Sequence, residues 1–143
     1  MKSKFIGLFS ALFVAFIAVI SVGAISLNSI DYNSVPPKAV LYDDDRISST
    51  ASFDSTDFTT TKGSGNTIKI WYDNKENSSV KITLYKYGLF GTKDDVLVFK
   101  VSGNDNKYKE YTANKADSAR YYINIEASYG DNITGYLRAT QIS

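Results

Sequence analysis

The chain contains no cysteine and no histidine. Without cysteine no disulfide can form, so the fold must stand on packing alone, even in an oxidising compartment. The two absences together exclude Ser-His-Asp and Cys-His nucleophilic catalysis and zinc sites built on histidine or cysteine. Proline is limited to two residues, and they sit together as Pro36-Pro37. Glutamate occurs only as Glu76, Glu110 and Glu126, which leaves little for a carboxylate-only hydrolase to use. Of the three, Glu126 alone stands among apolar and tyrosine residues that would raise a carboxyl pKa. An excess of one charge is missing too, with 16 Lys and Arg against 15 Asp and Glu. Nucleic-acid binding needs a clustered basic stripe, and none is present.

What the chain does have is aromatic and β-branched residues. Hydrophobic residues make up 43% and aromatics 14%, with eleven tyrosines, a composition that favours a packed sheet over disorder. The length allows one domain.

Met1-Lys2-Ser3-Lys4 is a short basic start, Phe5 to Val22 is an almost unbroken apolar run, and Val22-Gly23-Ala24 has the small residues of a cleavage site. Residues 1–24 are therefore expected to be a signal peptide. The alternative is an uncleaved anchor, because the run is close to the minimum for a membrane span. Both place the rest outside the cytoplasm, secreted or membrane-anchored. Loss of Lys2 and Lys4 leaves the mature protein with 14 basic and 15 acidic residues. Residues 25–37 are polar and aperiodic and read as a linker or short pro-segment ending at Pro36-Pro37.

From residue 38 onward the pattern is that of strands. Arg120–Ala127 is the clearest: Tyr121, Ile123, Ile125 and Ala127 alternate with Arg120, Tyr122, Asn124 and Glu126, one set for a core and one for solvent. Thr67–Asp73 alternates with Ile68, Ile70 and Tyr72 inward, and Ser79–Tyr87 with Val80, Ile82 and Leu84 inward. The turn-forming Asn74–Ser78 between these two reads as the tip of a hairpin. Val96–Ser102 is apolar on both faces, as a central strand would be. Lys38–Tyr42, one or two weak edge strands within 47–61, Tyr108–Thr112 and a final strand from Ile133 to about Thr140 complete the set, with a loop or single helical turn over 113–119. Seven to eight strands at this spacing, with no helical period between them, predict an all-β, antiparallel, jelly-roll-like sandwich over residues 38–143.

The close of the chain is Ala119-Arg120-Tyr121-Tyr122-Ile123-Asn124-Ile125, a Gly130-Asp131-Asn132 turn and Thr134-Gly135-Tyr136-Leu137-Arg138-Ala139. It resembles the end of bacterial pre-peptidase C-terminal-type domains, which are secreted jelly-roll-like sandwiches. The resemblance implies that fold and secretion. It implies no protease activity, since no protease domain is present.

Three constellations are candidates for function. The outward aromatics Trp71, Tyr85, Tyr87, Tyr122 and Tyr136, with Arg120, Glu126 and Arg138, offer ring faces beside hydrogen-bonding groups, which suits an extracellular glycan or a protein ligand. Cross-strand aromatic pairs also serve simply to stabilise exposed sheet, and the two faces of a sandwich would divide them. Leu89-Phe90 lies between Gly88 and Gly91, either as a wedge for a membrane surface or a partner's groove or folded back as a plug on the sandwich. Asp43, Asp44 and Asp45 are the best candidates for calcium, which takes oxygen ligands from loops, though their spacing matches no EF-hand and loop aspartates also form turns. No other cofactor is expected. Asn77-Ser78-Ser79 and Asn132-Ile133-Thr134 match the N-glycosylation pattern, which matters only in a eukaryotic secretory route. The reading that follows is a secreted, non-catalytic binding module. Its alternatives are a membrane-active or antimicrobial factor using Leu89 and Phe90, and a carboxylate-only hydrolase.

Overall fold

In a computed structural model of the chain, residues 39–113 and 118–143 are described. The expected leader and linker over 1–37 lie outside them, as does most of the loop at 113–119. The described chain is built of strands: β1 (Ala39–Thr50), β2 (Ser52–Asp54), β3 (Phe58–Thr59), β4 (Thr67–Asn74), β5 (Val80–Tyr87), β6 (Lys93–Val101), β7 (Asn106–Thr112), β8 (Arg120–Ala127) and β9 (Asn132–Ile142). Two antiparallel sheets form, ordered β1-β9-β4-β7 and β2-β8-β5-β6, with β3 also on β8. Counting β2 and β3 as one interrupted strand, the orders become 1-8-3-6 and 2-7-4-5, the jelly roll.

Ser55 marks the interruption. Its backbone N–H donates to the Ile123 carbonyl, and its Oγ accepts from the Ile123 N–H at 2.8 Å. A side chain thus stands in for the missing ladder carbonyl, so the central strand β8 keeps its bonds.

The alternation read in the strongest strands is what fills the core. Ile68, Ile70 and Tyr72 of β4, with Ile133 and Leu137 of neighbouring β9, form one side of it, and Ile82 and Leu84 of β5 with Tyr121, Ile123 and Ile125 of β8 form the other; all are essentially inaccessible to water. Burying each such side chain contributes about 1.5–3 kcal/mol. Gly135 sits on the same inner side, where a Cβ would lie 2.7 Å from the Tyr72 hydroxyl and closer still to the Asp73 carbonyl. Only glycine lets β9 approach β4 there.

Three expectations are corrected. β4 and β5 are not a hairpin: β4 pairs with β7 and β9 in one sheet, and β5 with β6 and β8 in the other. Asn74–Ser79 is a corner crossing between sheets. β6 is an edge strand rather than a central one, paired only with β5; its apolar outward residue Val98 is half exposed. β1 does not stop at the aspartates but runs through them, with register shifts between Val40 and Tyr42 and between Asp44 and Ile47. Bulges and charge on an edge strand keep it from pairing with other chains.

Tyr72 also makes stability depend on pH. Burial, together with the nearby Glu76 and Asp73 charges, pushes its hydroxyl from 10.0 up to about 12, and burial beside Asp44 does the same to Tyr42. A raised folded-state pKa favours the neutral phenol in the native protein. That stability is complete below pH 10 and lost as pH rises towards 12. The urea midpoint is therefore expected to fall between pH 10 and 12. Tyr72→Phe, which cannot titrate, should start lower at pH 9 but decline less steeply. A parent midpoint that stays level across this range would refute the assignment.

Candidate functional site

Strand parity sends the predicted binding residues outward, but onto opposite sides of the sandwich. Tyr85, Tyr87, Arg120, Tyr122 and Glu126 lie on β5 and β8 of the five-stranded sheet. Trp71, Tyr136 and Arg138 lie on β4 and β9 of the four-stranded sheet. The expected set is therefore two sites.

On the five-stranded sheet, Tyr85 is directly opposite Tyr122. Their rings stack at 4.9 Å and 11°, and Tyr87 leans on Tyr122 at 5.5 Å. Cross-strand aromatic neighbours meet this way because side chains on one face lie about 4.5–5.5 Å apart at Cβ. Cations gather at the Tyr87 end of the strip. Arg120 sits 4.1 Å above the Tyr87 ring, and Lys93 lies 4.6 Å from the centre of Tyr122 and 5.5 Å from that of Tyr87. Such contacts are worth about 0.5–1 kcal/mol where solvent reaches them. Asp57 ties the end together, accepting from the Tyr87 hydroxyl at 3.0 Å and lying 3.6 Å from the Arg120 Nε.

Partial burial and the Asp57 hydrogen bond raise the Tyr87 pKa, so the hydroxyl remains a donor. The hydrogen bond to the Tyr122 hydroxyl raises Lys93, which keeps its charge over the rings. Below the tyrosines, Asn124 Nδ2 donates to Asp54 at 2.8 Å, while its buried Oδ1 accepts nothing among the described residues. Glu126 is two rows from Tyr122 and ion-pairs with Lys81. It is exposed rather than set among tyrosines, and its partner cation removes the apolar setting a proton donor would need. Sequence reasoning missed Lys93, Asp57, Asp54 and Asn124. Lys93 was legible from register, since it faces Tyr87 across the β5–β6 ladder. Asp57 comes from the irregular stretch between β2 and β3 and carried no signal.

Among the described residues Leu89 and Phe90 are, with Tyr129, the most exposed large apolar side chains, Leu89 at 83% and Phe90 fully exposed. They do not plug the sandwich. Phe90 is left-handed at φ 63°, as is Gly91 at φ 76°, and the turn is closed by Gly88 N–H to the Thr92 carbonyl at 2.8 Å and by Thr92 Oγ1 to the Leu89 carbonyl. Holding a phenylalanine left-handed costs about 1–2 kcal/mol. Tyr129-Gly130 repeats the arrangement, with φ 58° and 74°.

Asp43, Asp44 and Asp45 sit on a strand, so they do not converge. Asp44 accepts from the Tyr42 hydroxyl and the Arg46 N–H, Asp45 pairs with Arg46, and Asp43 lies 4.0 Å from Arg138. Among the described residues no three acidic side chains cluster as a metal site would require.

No protein-family model and no curated protein matches the chain. Solved structures of similar fold include PirA (10% identity, TM-score 0.45, covering 78% of this chain and 98% of that one). A carbohydrate-binding module from Cellvibrio mixtus lichenase 5A in complex with cellotriose is also similar (10%, TM-score 0.45, 76% and 100%). So is the CBM22-1 xylan-binding domain of Paenibacillus barcinonensis Xyn10C (9%, TM-score 0.45, 78% and 99%). What this chain shares with them is the sandwich.

Proposed function

We propose that the protein is an exported, non-catalytic module that binds uncharged carbohydrate on the outer face of its five-stranded sheet. The observation that carries this reading is the Tyr85–Tyr122–Tyr87 strip with its rim of Arg120, Lys93 and Asp57. Sugar rings present C–H faces that pack on aromatic area and hydroxyls that need both donors and acceptors, and the strip offers both within one patch. Arg120 is matched by Asp57 and Lys81 by Glu126, and Lys93 feels the nearby Asp54 charge, which favours a neutral polyhydroxylated ligand over an ionic one. The chain lacks histidine and cysteine, and on this face Asp57 and Glu126 are paired with Arg120 and Lys81. Export is supported by the basic start, the apolar run and the Val22-Gly23-Ala24 site.

The test is affinity electrophoresis of the mature domain through gels cast with xylan, mixed-linkage β-glucan, galactan or mannan. Xylan and a β-glucan are included because ligands of those kinds are named for two of the similar structures. Retardation by at least one, weakened in Tyr85→Ala, is the expected result. Free migration in all four gels would remove the proposal.

A second reading is favoured by one observation, the exposure of Leu89 and Phe90 on a hydrogen-bonded turn. In it the loop enters a lipid interface. Flotation with phosphatidylcholine–phosphatidylglycerol vesicles should then carry the wild type upward but leave Phe90→Ser behind. If both sediment alike, the loop does not act on membranes.

A further inference from the structure

The four-stranded sheet carries its own aromatic row, and it is not a copy of the first. Cross-strand register lines up Tyr108, Trp71, Arg138 and Asp43 across β7, β4, β9 and β1, one residue from each strand. Tyr136 stands against Trp71 edge-to-face at 4.9 Å and 83°, so the two rings form a corner, not a stack. Beyond Tyr136, where β1 bulges between Asp44 and Ile47, the surface drops into a cleft of about 340 Å³ bordered by Arg46, Ser48, Lys75 and Thr134. That volume is at the small end of the range for ligand pockets.

The charge pattern selects the ligand class. Arg138 is answered by Asp43 at 4.0 Å, Lys75 by Asp73 at 2.6 Å and Arg46 by Asp45 at 3.4 Å, while Lys69 lies 4.1 Å over the Tyr108 ring and opposite Glu110. No sign predominates along the row, so neither a polyanion nor a polycation is favoured. Hydroxyl and paired-ion groups beside an aromatic corner fit an uncharged polyhydroxylated chain. A tryptophan left partly open on a sheet face is otherwise an exposed apolar cost, and binding anchors are enriched in tryptophan and tyrosine.

We infer that the protein has a second carbohydrate-contacting face, centred on the Trp71–Tyr136 corner, so that one molecule holds two glycan chains on opposite sides of the sandwich. The ligand class is shared with the proposed function, but the residues are different. Two faces on one rigid domain bring a second chain to a first already bound, and this cross-links polysaccharide without any new contact.

Trp71 is the only tryptophan in the chain, so its fluorescence reports this face alone. The same four polysaccharides are titrated into wild type, Tyr122→Ala and Trp71→Ala, with circular dichroism melts confirming that each variant is folded. Trp71 emission is expected to change in the wild type and, undiminished, in Tyr122→Ala. Light scattering from polysaccharide–protein mixtures should rise several-fold with wild type and not with either variant. Retardation in gels without any change in Trp71 emission would overturn the second face and leave the first standing. An emission change that disappears in Tyr122→Ala would overturn two independent faces. Binding unaffected by Tyr122→Ala but abolished by Trp71→Ala would move the site to the four-stranded sheet, and this would refute the two-chain inference and the proposed face together. No retardation and no emission change would fail both.

Discussion

Replacing Asn74 with alanine is expected to destabilise the domain by about 3–5 kcal/mol, because each buried group it leaves unpaired costs about 1–3 kcal/mol. Asn74 is completely buried. Its Nδ2 donates to the Ser78 carbonyl at 2.8 Å and the Ser102 carbonyl at 3.0 Å, and its Oδ1 accepts from the Glu76 N–H at 3.1 Å. The two segments it joins are the corners where the chain changes sheets, β4 to β5 and β6 to β7. They lie so close that a Cβ on Gly103 would overlap the Asn77 carbonyl, and Asn74 N–H and Asn104 N–H bridge them again through Asp105 and Glu76. Alanine fills none of these roles. At about 4–8 °C per kcal/mol for a domain near this size, Tm should drop by about 12–40 °C. Asn77→Ala, which loses only an exposed bond from Asn104, is the control and should change Tm by a few degrees at most. A melt of Asn74→Ala within about 5 °C of the parent would show that the corners hold without it.

Asn74 also explains what could and could not be read from the chain. The inward residues of β4, β5 and β8 were legible because their alternation is unbroken, and Tyr121, Ile123 and Ile125 are as buried as that pattern requires. Parity says which way a side chain points but not which sheet its strand joins. A short polar segment such as Asn74–Ser79 looks the same whether it turns a hairpin or crosses a sandwich. The difference is made by long-range bonds from Asn74 to Ser102, and by Gln141 at the other end of the fold, whose Nε2 and Oε1 hold Thr61 and Gly65. Polar residues buried at corners carry no local periodicity. In β6 an apolar residue on each face suggested a central strand, yet Val98 is left half exposed on an edge. The acidic run of β1 looked like a strand end because charge is unusual within a sheet, yet on an edge strand it is tolerated.

The same blindness to sheet membership divided the candidate site. Trp71 and Tyr122 are both outward by parity, and only the strand order separates them. Within each face the side chains are neighbours: Tyr85, Tyr87, Tyr122 and Arg120 touch, as do Trp71 and Tyr136. The parts that came from irregular backbone, Asp57 above all, were visible only in three dimensions.

Tyr122→Ala is expected to weaken glycan binding on the five-stranded sheet about 30-fold or more, the size of a binding anchor worth about 2 kcal/mol. It should exceed Tyr85→Ala and Tyr87→Ala, because Tyr122 is the ring the other two lean on and the one closest to Lys93. Removing it therefore deletes its own contact area and lets three further groups relax, whereas removing Tyr85 or Tyr87 leaves a ring pair in place. Tyr122→Phe divides the effect. It retains the stack but loses the hydroxyl that Lys93 approaches at 3.5 Å, so binding should fall only a few-fold if ring area does most of the holding. The fold should tolerate these changes, since Tyr122 points away from the core and cross-strand pairs of this kind contribute about 0.2–1 kcal/mol. Isothermal titration with the polysaccharide that retards the wild type, alongside melts of each variant, measures both quantities. If Tyr122→Ala lowers Tm by several degrees and leaves affinity untouched, the strip is there to stabilise the sheet, and carbohydrate is held elsewhere or not at all.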